Sequence, residues 1–152
     1  MRVRILLFAA LFALAVPAAT SARQSRSEHH HGSGQILGTW DIQVTPAGQP
    51  TFEALATFSA GGGMVETESD APGTAQGSWE KIGPRTYQFA FQTFLFNGTG
   101  QPAGHVLVRS QATLSHGTLS GPFKFDVSDP TGHIIQSGAG TATATRFQIP
   151  PF

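Results

Sequence analysis

The sequence predicts an all-β domain: an eight-stranded antiparallel up-and-down (meander) barrel. Three observations carry that expectation. From Gly34 onward no useful stretch shows the helical period, and apolar and polar residues alternate instead. Turn sequences rich in Gly, Pro and Asn break the alternating runs at short, regular spacing, which favours a barrel or sandwich. The connections are too short for the long crossings of a Greek key, so consecutive strands should be antiparallel neighbours.

The elements follow in order. The first strand is expected over 36–45, where Trp40, Ile42 and Val44 share one face and Asp41, Gln43 and Thr45 the other. The second (51–59, TFEALATFS) ends at the turn AGGG, and the third is GMVETES at 63–69. The fourth (75–82, AQGSWEKI) ends at Gly83-Pro84. The fifth, over 85–96, is apolar on both faces: Tyr87, Phe89, Phe91 and Leu95 on one, Ala90, Phe94 and Phe96 on the other. A barrel wall needs only one apolar face. Either something covers the outside of this strand, or its end forms an apolar rim or a self-association surface. Asn97-Gly98 then suits a type I′ hairpin turn. The sixth strand (103–114) is followed by SHG. The seventh (118–127) carries Leu119, Phe123, Phe125 and Val127 on one face, and is followed by the Pro-initiated turn DPTG. The eighth is expected over 133–147.

The barrel domain is expected over 35–149. Ahead of it, a basic start, the apolar run ILLFAALFALAV (5–16) and small residues up to Ala22 read as a signal peptide over 1–22. Residues 23–34 (RQSRSEHHHGSG) hold no apolar side chain and read as a disordered linker. The expected location is therefore exported, periplasmic or secreted. The chain has no cysteine, so packing alone must hold an exported domain. Nine basic residues face nine acidic ones, and cleavage after Ala22 would remove Arg2 and Arg4, leaving a slight acidic excess. Such a chain is a poor candidate for nucleic acid, and no membrane span is expected in the mature form.

At this point residues carry a resemblance. Gly38-Thr39-Trp40 opens the first strand, and Arg146 closes the last. The pairing resembles the lipocalin and wider calycin signature, in which the Trp closes the barrel base and the Arg lies across its indole. An indole face attracts a guanidinium, and the Arg donors can cap backbone carbonyls. The resemblance implies a bacterial lipocalin-like barrel with Gly38, Trp40 and Arg146 as closure residues. The chain departs from the family in lacking the TDY-type motif between the sixth and seventh strands, where it has TLSHGTL. It also lacks a helix before the eighth strand and the paired cysteines of many lipocalins.

Function is expected to reside inside the barrel. Eight strands enclose about the width of one small ligand. The candidate ligand-binding residues are Phe58, Trp79, Tyr87, Phe89, Phe91, Phe123 and Phe125, with Arg109 as a cation for a fatty-acid-like carboxylate. Arg109 shares its strand face with His105 and Gln111. If that face is outermost the trio is solvated surface; if it points inward, Glu53, Tyr87 and His105 could supply acid–base chemistry. The main expectation is a binder of a small hydrophobic molecule, with no cofactor. The alternatives are an isomerase- or cyclase-type enzyme similar to the allene oxide cyclase barrel, or a structural or inhibitory barrel with a filled core. The run His29-His30-His31 reads as a polar tail rather than a metal site. No Ser-His-Asp order, metal spacing or phosphate loop is visible.

Overall fold

The computed structural model describes residues 35–71 and 73–152. The expected signal peptide (1–22) and linker (23–34) lie outside the described residues. The described chain is all β: β1 (Gly38–Pro46), β2 (Phe52–Phe58), β3 (Gly63–Glu68), β4 (Ala75–Lys81), β5 (Thr86–Phe96), β6 (Pro102–Ser115), β7 (Thr118–Ser128) and β8 (Ile134–Arg146). Every strand pairs with its sequence neighbours, and β1 pairs with β8, so the sheet closes into an up-and-down barrel. Closure leaves no strand edge unpaired.

Alternation decides which side chains face inward. Opposed pairs in register share a face, so the inner layers can be followed around the wall. Trp40 lies opposite Ala56 and Arg146; Phe58 opposite Met64; Trp79 opposite Phe89; and Phe91 opposite Val108, which in turn lies opposite Phe125. Around Trp40, the buried cluster of Ile36, Ala56, Phe58, Met64, Tyr87, Ala112, Leu114, Leu119 and Ala144 fills one end of the barrel. Between Gln136 at one end and Arg146 at the other, β8 meets this interior with small residues: Gly138, Gly140, Ala142 and Ala144 lie opposite Phe125, Phe123, Gly121 and Leu119. A side chain at Gly138 would overlap the Phe125 ring.

The turns differ in one respect from the sequence reading. A type I′ turn needs positive φ at both central residues. Neither Asn97 nor Gly98 has it; the left-handed residue is Gly100 (φ 77°). Asn97 instead folds the loop around its own side chain, Oδ1 accepting bonds from the Thr99 amide (3.0 Å), the Thr99 hydroxyl (2.7 Å) and the Gln101 amide (2.9 Å). Asp129 builds the same three-bond turn with Thr131 and His133 between β7 and β8. The two-residue I′-like turn falls at His116-Gly117, with φ 50° and 82°.

Candidate functional site

The closed end is built around Trp40, which is 0% exposed. Its indole Nε1 donates to the Ile36 carbonyl (2.7 Å), satisfying the one polar atom that burial would orphan. The Arg146 guanidinium lies over the ring, 4.4 Å from its centroid, and donates to the Leu37 and Gln35 carbonyls. Burial pulls the Arg146 value below the ordinary guanidinium range. Gly38 makes room for this arrangement. Its φ is +106°, and a Cβ there would sit 2.6 Å from Arg146 Nη1.

Above this plug lies a cavity of about 320 Å³. Phe58, Phe89, Phe91, Phe123 and Phe125 line it, with Ile42, Val44, Val106, Val108 and Val127 between them. Several of these inward side chains, Phe89, Phe91, Val106 and Val108 among them, are only half-buried because they face the void. Pro46, Gln49, Asp70 and Gln136 also touch the space, which places its mouth at the end away from Trp40. The core is therefore not filled, against the filled-core alternative.

Sequence reasoning missed the carboxylates. Glu66, Glu68 and Asp70 are the charged residues on the cavity wall among the described residues. β3 alternates Met64, Glu66 and Glu68 on its inner face, so the fold drives two acids into an apolar interior. Glu66 is 4% exposed, and its carboxyl, which makes no hydrogen bond among the described residues, opens onto the cavity. Burial, followed by the neighbouring Glu68 and Asp70 charges, pushes its carboxyl up to about 8. Burial and then Asp70 raise Glu68 as well. Glu66 and Glu68 also border a second recess of about 150 Å³, walled by Phe94, Leu95 and Phe96 at the end of β5. The signal was present in the alternation of GMVETES. It was concealed because Val65 and Thr67 offer an equally plausible inner face; Val65 is the exposed one.

The other candidates divide by level and by face. Trp79 and Tyr87 are not on the cavity wall. They pack one layer lower, 6.1 Å apart, with Trp79 6.3 Å from Phe58 and its Nε1 bonded to the Ser59 carbonyl in the β2–β3 turn (3.0 Å). Trp79 buttresses Phe58, Tyr87 backs Trp79, and neither lines the void. Arg109 is a correction of a different kind. β6 turns Val106, Val108, Ser110 and Ala112 inward, so Arg109 stands on the outer wall and pairs with Asp126. Ser137 donates to the same carboxylate (2.6 Å), and that bond, followed by Arg109, holds Asp126 below its usual value. The physical reason is simple: one face of β6 had to be dry, and the apolar face took the inside. His105 shares the outer face, and Glu53, bonded to Gln43, is outside too, so of the two readings of this face the solvated one holds and the conditional acid–base set does not assemble.

No protein-family model matches the chain, and no curated protein matches it. Solved structures do. A barrel named EF1p2_mFAP2b, in a structure bound to DFHBI, aligns over 74% of this chain and 94% of its own, with a TM-score of 0.56 and 19% identity. A redesigned β-barrel, b11L5F_LGL, aligns over 76% of this chain and 95% of its own, with a TM-score of 0.47 and 20% identity. The first likeness supports the barrel fold.

Proposed function

We propose that the chain is an exported, lipocalin-like barrel that holds a small apolar or amphipathic molecule in its cavity. The observation that carries the reading is the void itself: about 320 Å³ left open between six phenylalanines, Phe52 among them. Apolar walls without a partner forgo dispersion contacts that a ligand would restore. The volume is at the lower end of the range for small-molecule sites. That the barrel EF1p2_mFAP2b was solved with DFHBI bound supports the same use of a similar container. The lipocalin-like assignment rests on the Gly38, Trp40 and Arg146 arrangement, and export on the apolar run 5–16. The test is a titration of the purified barrel with the neutral dye Nile red. Saturable binding that Ala142→Phe abolishes supports the reading, because the new ring would occupy the void. Binding that survives this substitution places the dye elsewhere and removes it.

A second reading has one observation in its favour. A carboxyl pushed up to about 8 remains protonated at neutral pH and could act as a general acid on a bound molecule. Chromatography of the recovered ligand tests it: a ligand returned unchanged leaves only binding. We extend the proposal to self-association through β5, on the exposure of Phe94 (68%) and Phe96 (63%). A monomer by sedimentation at high concentration would remove that extension.

A further inference from the structure

We infer that the ligand of this cavity is a cationic amphiphile, an apolar body carrying a basic nitrogen, and that Glu66 receives the nitrogen. The inference rests on the small-molecule reading above and specifies the class of molecule. Three observations converge on it. First, the cavity wall carries Glu66, Glu68 and Asp70 and no basic side chain among the described residues. Second, Glu66 is 4% exposed, no hydrogen bond to its carboxyl is made among the described residues, and no sealed side-chain oxygen there lacks a partner, so its oxygens open onto the void. A carboxyl group shielded from bulk water but open to a cavity is placed to bond what the cavity holds. Third, the neighbouring strands offer it nothing. β2 presents Ala54 and Ala56 opposite Glu68 and Glu66, and β4 presents Ala75; the nearby titratable groups are Glu68 and Asp70, both acids.

These facts select against the carboxylate ligand that Arg109 suggested. An anion would meet three acids and no cation on the wall. A cation would relieve their mutual repulsion and give Glu66 a charge-assisted bond in a poorly solvated site, where such bonds are strong. A metal ion is a poorer fit, since no group of three or more His, Cys, Asp or Glu among the described residues could hold one. The rest of the wall is mainly apolar, with Gln49, Ser110, Ser120 and Gln136 as its other polar residues, and calls for a hydrocarbon or aromatic body on the same molecule. The recess beside Glu66 and Glu68, bounded by Phe94 and Phe96, gives room for a head group.

Proton balance follows from the same geometry. At pH 7 most Glu66 carboxyls carry a proton, because the group titrates near 8. Pairing with an ammonium requires the carboxylate, so Glu66 releases its proton to solvent as the amine binds. Amine affinity should therefore rise with pH until Glu66 is ionised, then level off while the amine keeps its own proton, up to roughly pH 10.

Calorimetric titration of the purified barrel with octylamine, octanol and octanoate tests this, since the three differ only in the head group. At about pH 9 octylamine should bind at least about tenfold tighter than octanoate, the factor expected of a charge-assisted bond. Its affinity should fall about tenfold or more by about pH 6, and binding at pH 7 should release close to one proton, read from heats in two buffers. Glu66→Gln should collapse the ratio of octylamine to octanoate towards one, with circular dichroism and tryptophan fluorescence showing that the variant folds. If Glu66→Gln fails to fold, the pH dependence and proton release of the unaltered protein decide the matter. Octanol binding with no preference for the amine, or an amine preference unchanged in Glu66→Gln, overturns this inference and leaves the small-molecule reading standing. Binding of none of the three overturns both.

Discussion

Trp40 and Arg146 stand one against the other at the residue scale, and each depends on the other for part of its effect. Trp40 is wholly buried, so Trp40→Ala should cost about 3–5 kcal/mol in a urea unfolding experiment. Arg146→Ala should cost about 1–2 kcal/mol, the range of a partly desolvated cation–π contact. The double variant should lose less than the two losses added, because contacting residues couple. Additive losses would mean that the guanidinium and the indole act separately. His116 offers a residue-scale change in the other direction. It holds φ at 50° ahead of Gly117, a conformation that Asn adopts more readily. His116→Asn should raise stability by a few tenths to about 1 kcal/mol, and an unchanged or lower midpoint would show that the bond between Ser115 Oγ and His116 Nδ1 (3.0 Å) matters more than the turn.

Individual strands decide whether the barrel is hollow. β8 contributes Gly138, Gly140, Ala142 and Ala144 to the interior, while the aromatic bulk comes from β2, β5 and β7. The void exists because one wall is small. Ala142→Phe should therefore fold and lose ligand affinity, whereas Gly138→Val should lose stability by about 1–3 kcal/mol through overlap with Phe125. Thermal melts of the two variants separate the outcomes; a Gly138→Val barrel as stable as the parent would mean that Phe125 moves freely into the cavity. Strand boundaries were legible in the sequence to within a residue or two, because Gly and Pro turns punctuate strict alternation. The inner face was legible where one face is plainly apolar, as in β1 and β7. It was not legible in β3, where Glu66 and Glu68 point inward against the usual rule.

For the whole molecule, that inward pair sets a pH dependence. The folded value of Glu66, about 8, lies above its ordinary 4.5. A carboxyl raised on folding contributes stability that is fully present below the unfolded value and is lost as pH rises through the folded one. The loss attributable to Glu66 is on the order of 5 kcal/mol between about pH 4.5 and pH 8. Glu68, also raised, adds to it in the same direction. Asp126 and Asp129 are lowered, so their contribution is present above the ordinary carboxylate range and fades in acid. Urea midpoints should accordingly fall from about pH 5 to pH 9, and Glu66→Gln should remove most of that slope. A parent midpoint that stays flat across this range would show that Glu66 is not held protonated by the fold.

The sequence by itself determined the barrel: period-two alternation, turn chemistry at short spacing and the number of strands leave few other ways to pair eight neighbouring segments. These are local signals, and each can be read within a dozen residues. Only the tertiary structure decided what the barrel contains. Whether Phe58 and Phe91 touch a void or a filled core depends on the small residues of β8, far away in sequence but across the barrel in space. Whether Glu66 is solvated or buried depends on which face β3 turns inward, and closure of the sheet settles that through the register with β2 and β4. Arg109 was legible as a cation but not as an outer one, because its side of β6 is fixed by the apolar residues that alternate with it and by the wall they complete.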